Sequence, residues 1–158
     1  MKIVDRQLLT DLTAQAVTSP RLRKNFNLHD GYQDPIQRLL NALEPGTYIR
    51  PHRHPDGVWE LFILLYGGCS VLLFDDDGRV TDRIDMQTGD TLVMEVPVRA
   101  WHAVAVTQPG TMILEAKPGP YSPVDAKDFA RWAPEEGQPG CDDLCRWMER
   151  ASLGDQWR

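Results

Sequence analysis

Apolar residues follow two rhythms along this 158-residue chain, and the change between them organises it. Between Asp5 and Val17, Leu8, Leu9, Leu12, Ala16 and Val17 recur at three-to-four spacing, which predicts an amphipathic helix laid on a core. Ser19-Pro20 stops it, because a proline ring pushes the residue before it away from helical backbone. The stretch "RLRKNFNLHDGYQDP" that follows shows no period and reads as a polar, basic connector, too long for a turn and therefore a lid or an arm.

From Ile36 to about Lys117 the rhythm shortens. The runs "PIQRLLNAL", "TYIRPH", "WELFILLYG", "SVLLFDDDG", "VTDRIDM", "DTLVMEV", "WHAVAVT" and "TMILEAK" are separated by Gly, Pro and Asp, which predicts about eight strands of a β-sandwich or barrel. "DDDG" marks a hairpin, since Asp and Gly tolerate the positive φ of tight turns. A segment rich in Pro and Gly then leads to "CDDLCRWMERA", where Leu144, Trp147 and Met148 have helical spacing. The expected plan is one all-β domain: a helix and basic arm over 1–35, a β-barrel over 36–118 and a covering tail over 119–158.

This length suits a single core that needs no metal or disulfide as a prop. Seventeen basic against twenty-three acidic side chains give a net charge of −6, which argues against nucleic acid as a partner. Neither a signal peptide nor a membrane-spanning stretch is expected, and the three cysteines, Cys69, Cys141 and Cys145, suggest no disulfide framework; the expectation is the cytoplasm. Cys141 and Cys145 are expected on one helical face, and Cys69 as a small buried apolar side chain.

Against that background "IRPHRHPDGVWELF" stands out. Side chains two apart on a strand share a face, so His52 and His54 project together, and the turn through "PDG" can bring Glu60 beside them. His102, on the apolar strand "WHAVAV", would need a partner if buried and is the natural fourth metal ligand. His29, alone in the connector, reads as a solvated or capping histidine. Tyr48 and Arg50 share the inferred inward face, unless a bulge at Pro51 turns Arg50 outward.

Gly46, His52, His54, Glu60 and Gly67, followed by Gly89, Pro97 and His102, resemble the two signatures of the cupin superfamily. There are departures: one extra residue precedes the glutamate, the gap from Gly89 to Pro97 is longer by two, and Arg99 stands where a glycine is usual, so the turn before His102 is expected to be reshaped. The resemblance implies a cupin jelly roll. From Ser19 to Gly137, "SPRLRKNFNLH", "DPIQRLLNALEPGTYIRPHRH", "WELF", "GPY" and "DFARWAPEEG" resemble the WbuC-family cupin-fold metalloproteins. That resemblance implies a surface-polysaccharide or O-antigen context, with a sugar or sugar nucleotide as substrate, and a homodimer.

Three imidazoles and one carboxylate suit one divalent transition-metal ion per chain, with Fe or Mn favoured for chemistry and Zn or Ni as further options. Two adjacent octahedral positions would remain open for water, oxygen or substrate. The leading expectation is Lewis-acid chemistry on a small oxygen-rich substrate, an isomerisation or epimerisation for which Glu115 and Tyr121 are the candidate proton-transfer groups, Tyr121 as a proton donor at the barrel mouth or else as an anchor of the tail. An anionic sugar derivative could be gripped by Tyr48, Arg50 and Lys117, and by Arg23 and Lys24 of the basic arm, which together with Arg21 is otherwise an ordinary solvated turn. An iron-dependent dioxygenase and a non-catalytic metal- or sugar-binding module are the alternatives.

Overall fold

The computed structural model describes residues 1–122 and 127–158, so residues 123–126 of the expected covering tail lie outside the described residues. The first helix, α1 (Arg6–Thr18), starts where Asp5 caps it: the Asp5 carboxylate accepts from the Leu8 backbone N–H at 2.9 Å, satisfying a donor the helix leaves unpaired. Leu12 and Ala16 pack on Leu40, Ala42 and Met112, with Leu8 and Leu9 half-buried beside them. Val17 is exposed, because it sits about 100° round the helix from Ala16, off the buried stripe.

Ten strands follow among the described residues: β1 (Arg23–Asn27), β2 (Ile36–Leu43), β3 (His52–Arg53), β4 (Glu60–Tyr66), β5 (Gly68–Phe74), β6 (Val80–Gln87), β7 (Val93–Val96), β8 (Trp101–Val106), β9 (Thr111–Pro118) and β10 (Asp128–Phe129). They form two five-stranded sheets, ordered β1-β2-β9-β4-β7 and β10-β3-β8-β5-β6, with every pairing antiparallel. Seven of the eight predicted runs contain a strand each, while of "TYIRPH" only His52 is strand, at the start of β3. The connector is corrected: it contains β1, which pairs along β2 from Arg23 opposite Leu43 to Asn27 opposite Leu39. Its inward positions are Arg23, Asn25 and Asn27, so a search for apolar alternation passes over it.

The inner faces of the sheets meet in one core, with Leu43, Phe62 and Leu64 from the first and Cys69, Val71, Val104 and Val106 from the second. α1 covers the outside of the first sheet. The outside of the second, at Leu72, Phe74, Ala103 and Ala105, is covered by the C-terminal segment, whose helix α2 (Cys141–Met148) buries Leu144 and Met148 there. Cys141 and Cys145 are buried on that helix as free thiols. Arg83 of β6 holds the helix end, donating to the carbonyls of Met148 at 3.1 Å, Ala151 at 2.8 Å and Glu149 at 3.2 Å.

In the β5–β6 hairpin, the Asp75 carboxylate accepts from the N–H groups of Asp77 and Arg79 at 3.0 and 2.8 Å, and Gly78 takes φ +80°. In the turn before β8, Arg99 adopts φ +64°, a left-handed backbone that here carries a side chain. No helix among the described residues is long and apolar enough to cross a membrane.

Candidate metal centre

The starts of β4 and β8 and the end of β9 meet at one end of the sandwich, where apolar packing between the sheets gives way to polar side chains. His52 on β3 lies directly opposite His102 on β8, and their ring centroids are 4.3 Å apart. His54 follows β3 with its ring 5.2 Å from that of His52. Glu60 opens β4 and reaches across from the other sheet, so the group bridges both layers.

These four residues, all buried, bring ligand atoms within 4.8 Å of one another. Glu60 Oε2 is 3.0 Å from His102 Nε2 and 3.2 Å from His54 Nε2. Donors about 2.1 Å from one ion lie about 3 Å apart when adjacent, so this spacing is that of neighbouring ligands. The ring orientations agree. His52 Nδ1 lies 2.9 Å from the Arg50 carbonyl and His102 Nδ1 2.9 Å from that of Ala100; carbonyls only accept, so each Nδ1 carries the proton and each Nε2 presents its lone pair inward. His52 Nε2 is buried with no hydrogen-bond partner, an arrangement that is costly unless something else occupies its lone pair. The donor set fits a divalent metal ion.

Charge reinforces this. Burial first, then Lys127 and the neighbouring imidazoles, hold His52 well below the usual histidine range, so it is neutral and available as a ligand. Burial opposes ionisation of Glu60, yet the charge of Lys117, with smaller help from the adjoining His102 and His54 side chains, overcomes it and holds the carboxyl well below the carboxylate range. Lys117 donates to Glu60 Oε1 at 2.9 Å and to Glu115 Oε1 at 2.6 Å, while Asn41 Nδ2 donates to Glu115 Oε2 at 2.8 Å. Burial and the charge of Glu60 push Glu115 up to about 7, against the pull of Lys117. For Lys117, burial is outweighed by the two carboxylates and the net shift is upward.

Beside this cluster lies a cavity of about 560 Å³, faced by alternate residues of β1, β2 and β9. Glu115, Lys117 and Tyr121 of the predicted set line it, and so do Arg23 and Lys24 at its outer part. Arg23 is engaged there, donating to the Tyr48 carbonyl at 2.7 Å and pairing with Glu136 at 2.9 Å. Arg21 joins the same carboxylate at 2.7 Å, so this end of the basic arm is tied to its own chain. Tyr121 packs on Tyr32, with ring centroids 5.2 Å apart.

Three expectations are corrected. Tyr48 is buried outside the cavity, its hydroxyl donating to the Pro134 carbonyl at 2.7 Å. Arg50 stacks over Phe129 at 5.1 Å and donates to the Ala130 carbonyl at 3.3 Å, also outside the cavity lining. The stretch before His52 is not strand, so two-residue parity does not extend back through Pro51, and Ile49 faces the cavity instead. His29 is not solvated either; it is buried, with Nδ1 3.1 Å from the Arg38 N–H. Trp101 faces away from His102, its Nε1–H donating to Asp76 at 2.7 Å.

The sequence reading missed Asn41 and Lys127. Asn41 had a signal, since Gln37, Leu39, Asn41 and Leu43 alternate along β2 and all face the cavity. Lys127 had none, because it lies in an aperiodic tail and is placed only by the chain's return to β3.

Comparisons agree with this fold. The family model described as "Domain of unknown function (DUF6016)" matches residues 4–86. No curated protein matches the chain. Oxalate decarboxylase from Bacillus subtilis aligns over 68% of this chain and 27% of its own, at 19% identity and a TM-score of 0.53. Oxalate oxidase, solved with the substrate analogue glycolate, aligns over 72% of this chain and 57% of its own, at 13% identity and a TM-score of 0.53. This chain therefore spans less than two thirds of either protein's length. Both are cupin-superfamily proteins, and the two sheets described above form a cupin-like jelly roll.

Proposed function

We propose that this chain, which belongs to the DUF6016 family, is a mononuclear metal enzyme acting on a small oxygen-rich substrate. The observation that carries the reading is the buried convergence of three imidazoles and the Glu60 carboxylate, with His52 Nε2 left without a hydrogen-bond partner. Iron or manganese suits reactive chemistry at this donor set, while zinc and nickel fit the same ligands. When bound, the ion supplies a Lewis acid that polarises a substrate carbonyl.

The chain's own residues supply the proton chemistry. Glu115, pushed up to about 7 beside the cluster, is poised to take a proton from the carbon next to a carbonyl near neutral pH. Tyr121 lines the same cavity as the donor, and Lys117 holds Glu115 in place. This is an isomerase or epimerase arrangement. The resemblance to WbuC-family proteins supports a sugar or sugar nucleotide of surface-polysaccharide metabolism as substrate and a homodimer as the assembly, and the free thiols of Cys69, Cys141 and Cys145 support the cytoplasm as the place of action. At the outer part of the cavity Lys24 would meet an anionic sugar, beside Arg23, which is paired with Glu136.

The test is a survey of keto- and aldo-sugars and sugar nucleotides by proton NMR in D₂O, with metal-loaded protein and with Glu115→Gln. Exchange at a substrate C–H, lost in the variant and on chelation, supports the isomerase reading. Oxygen consumption without exchange replaces it with a dioxygenase. Tight binding with neither leaves a non-catalytic binding module.

A further inference from the structure

The cavity contains a cation that the ligand set does not use. Lys127 lines it together with His52, Glu60, Lys117 and Tyr121. The chain leaving β9 belongs to the first sheet, and β10 belongs to the second, where Phe129 pairs opposite His52; Lys127 immediately precedes β10 and is thereby brought to the ligand group. Lys117 is clasped by two carboxylates, whereas no Asp or Glu among the described residues stands within ion-pair distance of Lys127. Burial and the nearby Lys117 make its charge costly, and Glu60 and Glu115 offset this only in part.

The charges around the cavity can be summed. Beside the ligand cluster Glu60 and Glu115 oppose Lys117 and Lys127, so these inner groups cancel, while at the outer part Arg21 and Arg23 share Glu136 and Lys24 adds a further positive charge. A divalent ion on the histidine and glutamate ligands brings the inner total to plus two. Enclosed charge without a counter-charge is unfavourable, so a matching ligand restores balance. The cavity of about 560 Å³ leaves room for several carbon atoms between two charged groups.

We propose that the site binds a small dianion, with one oxygen-bearing group beside the metal ligands and a second anionic group on the Lys127 ammonium. The inference rests on the metal reading above and names the charge class of its substrate. A dicarboxylate and a phosphate monoester both meet that description, and the test separates them.

Zinc-loaded protein is titrated by calorimetry with malate, with 2-hydroxybutyrate, which keeps the hydroxy-carboxylate end and replaces the distal carboxylate by a methyl group, with glycerol 3-phosphate and with glycerol. At least one of the dianions is expected to bind about tenfold or more tighter than its less charged counterpart, as a charged hydrogen bond in a buried site implies. Whichever pair shows the preference identifies the anionic group. Lys127→Met should abolish the preference at unchanged zinc content and melting temperature, and Lys127→Arg should keep most of it. Equal affinities within both pairs, or a preference that survives in Lys127→Met, overturns the dianion. Failure of the wild-type protein to load zinc overturns the metal reading instead.

Discussion

Lys117 donates to Oε1 of Glu60 at 2.9 Å, while the other oxygen of that carboxylate, Oε2, faces the imidazoles of His54 and His102. The two oxygens thus have separate duties. Oε1 is held by a buried ammonium, and Oε2 is presented to the ligand cluster, which preorganises Glu60 as a one-oxygen ligand before any ion arrives.

Replacing Lys117 by Met should therefore strand two buried carboxylates. In metal-free protein the expected loss is about 3–5 kcal/mol, the range for breaking a buried pair on one side. Excess zinc should recover part of it, because the ion supplies positive charge to Glu60. Denaturant melts with and without zinc measure both numbers, and a loss no larger than that of an exposed pair would remove Lys117 from this role.

Glu115 gives the metal-free protein a characteristic pH dependence. Its folded pKa, about 7, lies above the unfolded value near 4.5, so the folded state holds this proton more tightly. The stability this contributes is complete below about pH 4.5 and is lost as the pH rises through 7. Wild-type protein should lose up to about 3 kcal/mol over that window relative to Glu115→Gln, an order-of-magnitude figure from the size of the shift. Parallel stability curves for the two proteins between pH 4.5 and 7.5 would contradict the assignment.

Arg99 carries a side chain at φ +64° in the turn that delivers His102. Arg99→Gly should relieve the left-handed backbone and raise stability by about 1 kcal/mol, net of the entropy glycine adds to the unfolded chain. Thermal melts check the sign, and metal content should be unchanged.

Arg83 closes the end of α2 through three backbone carbonyls and also donates to Ser70 Oγ at 2.6 Å. Arg83→Met leaves those acceptors unanswered and should cost about 2–3 kcal/mol, with early loss of protection in the C-terminal segment by hydrogen exchange. A uniform change across the chain would show that the contact does not dock the segment.

What the sequence made legible, and what it hid, divides along physical lines. The apolar strands and α1 were readable because burial imposes a period. The metal ligands were readable because the i,i+2 rule applies locally at His52 and His54 and because buried imidazole demands a partner. The same rule failed at Tyr48 and Arg50, where irregular backbone at Pro51 breaks the parity. β1 was hidden because its inward side chains are polar, and a polar cavity wall has the alternation of a strand without its hydrophobicity. Lys127 is placed by the pairing of β10 with β3, a long-range contact with no local signature.

The central claim is that His52, His54, Glu60 and His102 hold one divalent ion. Elemental analysis of protein purified without a chelating tag, from cells grown in balanced metals, tests it most directly when His102→Ala is measured beside the wild type. The account predicts one transition-metal ion per wild-type chain and little or none in a variant that remains folded. Wild-type protein that stays metal-free after reconstitution, or a variant that keeps its full complement, would contradict it.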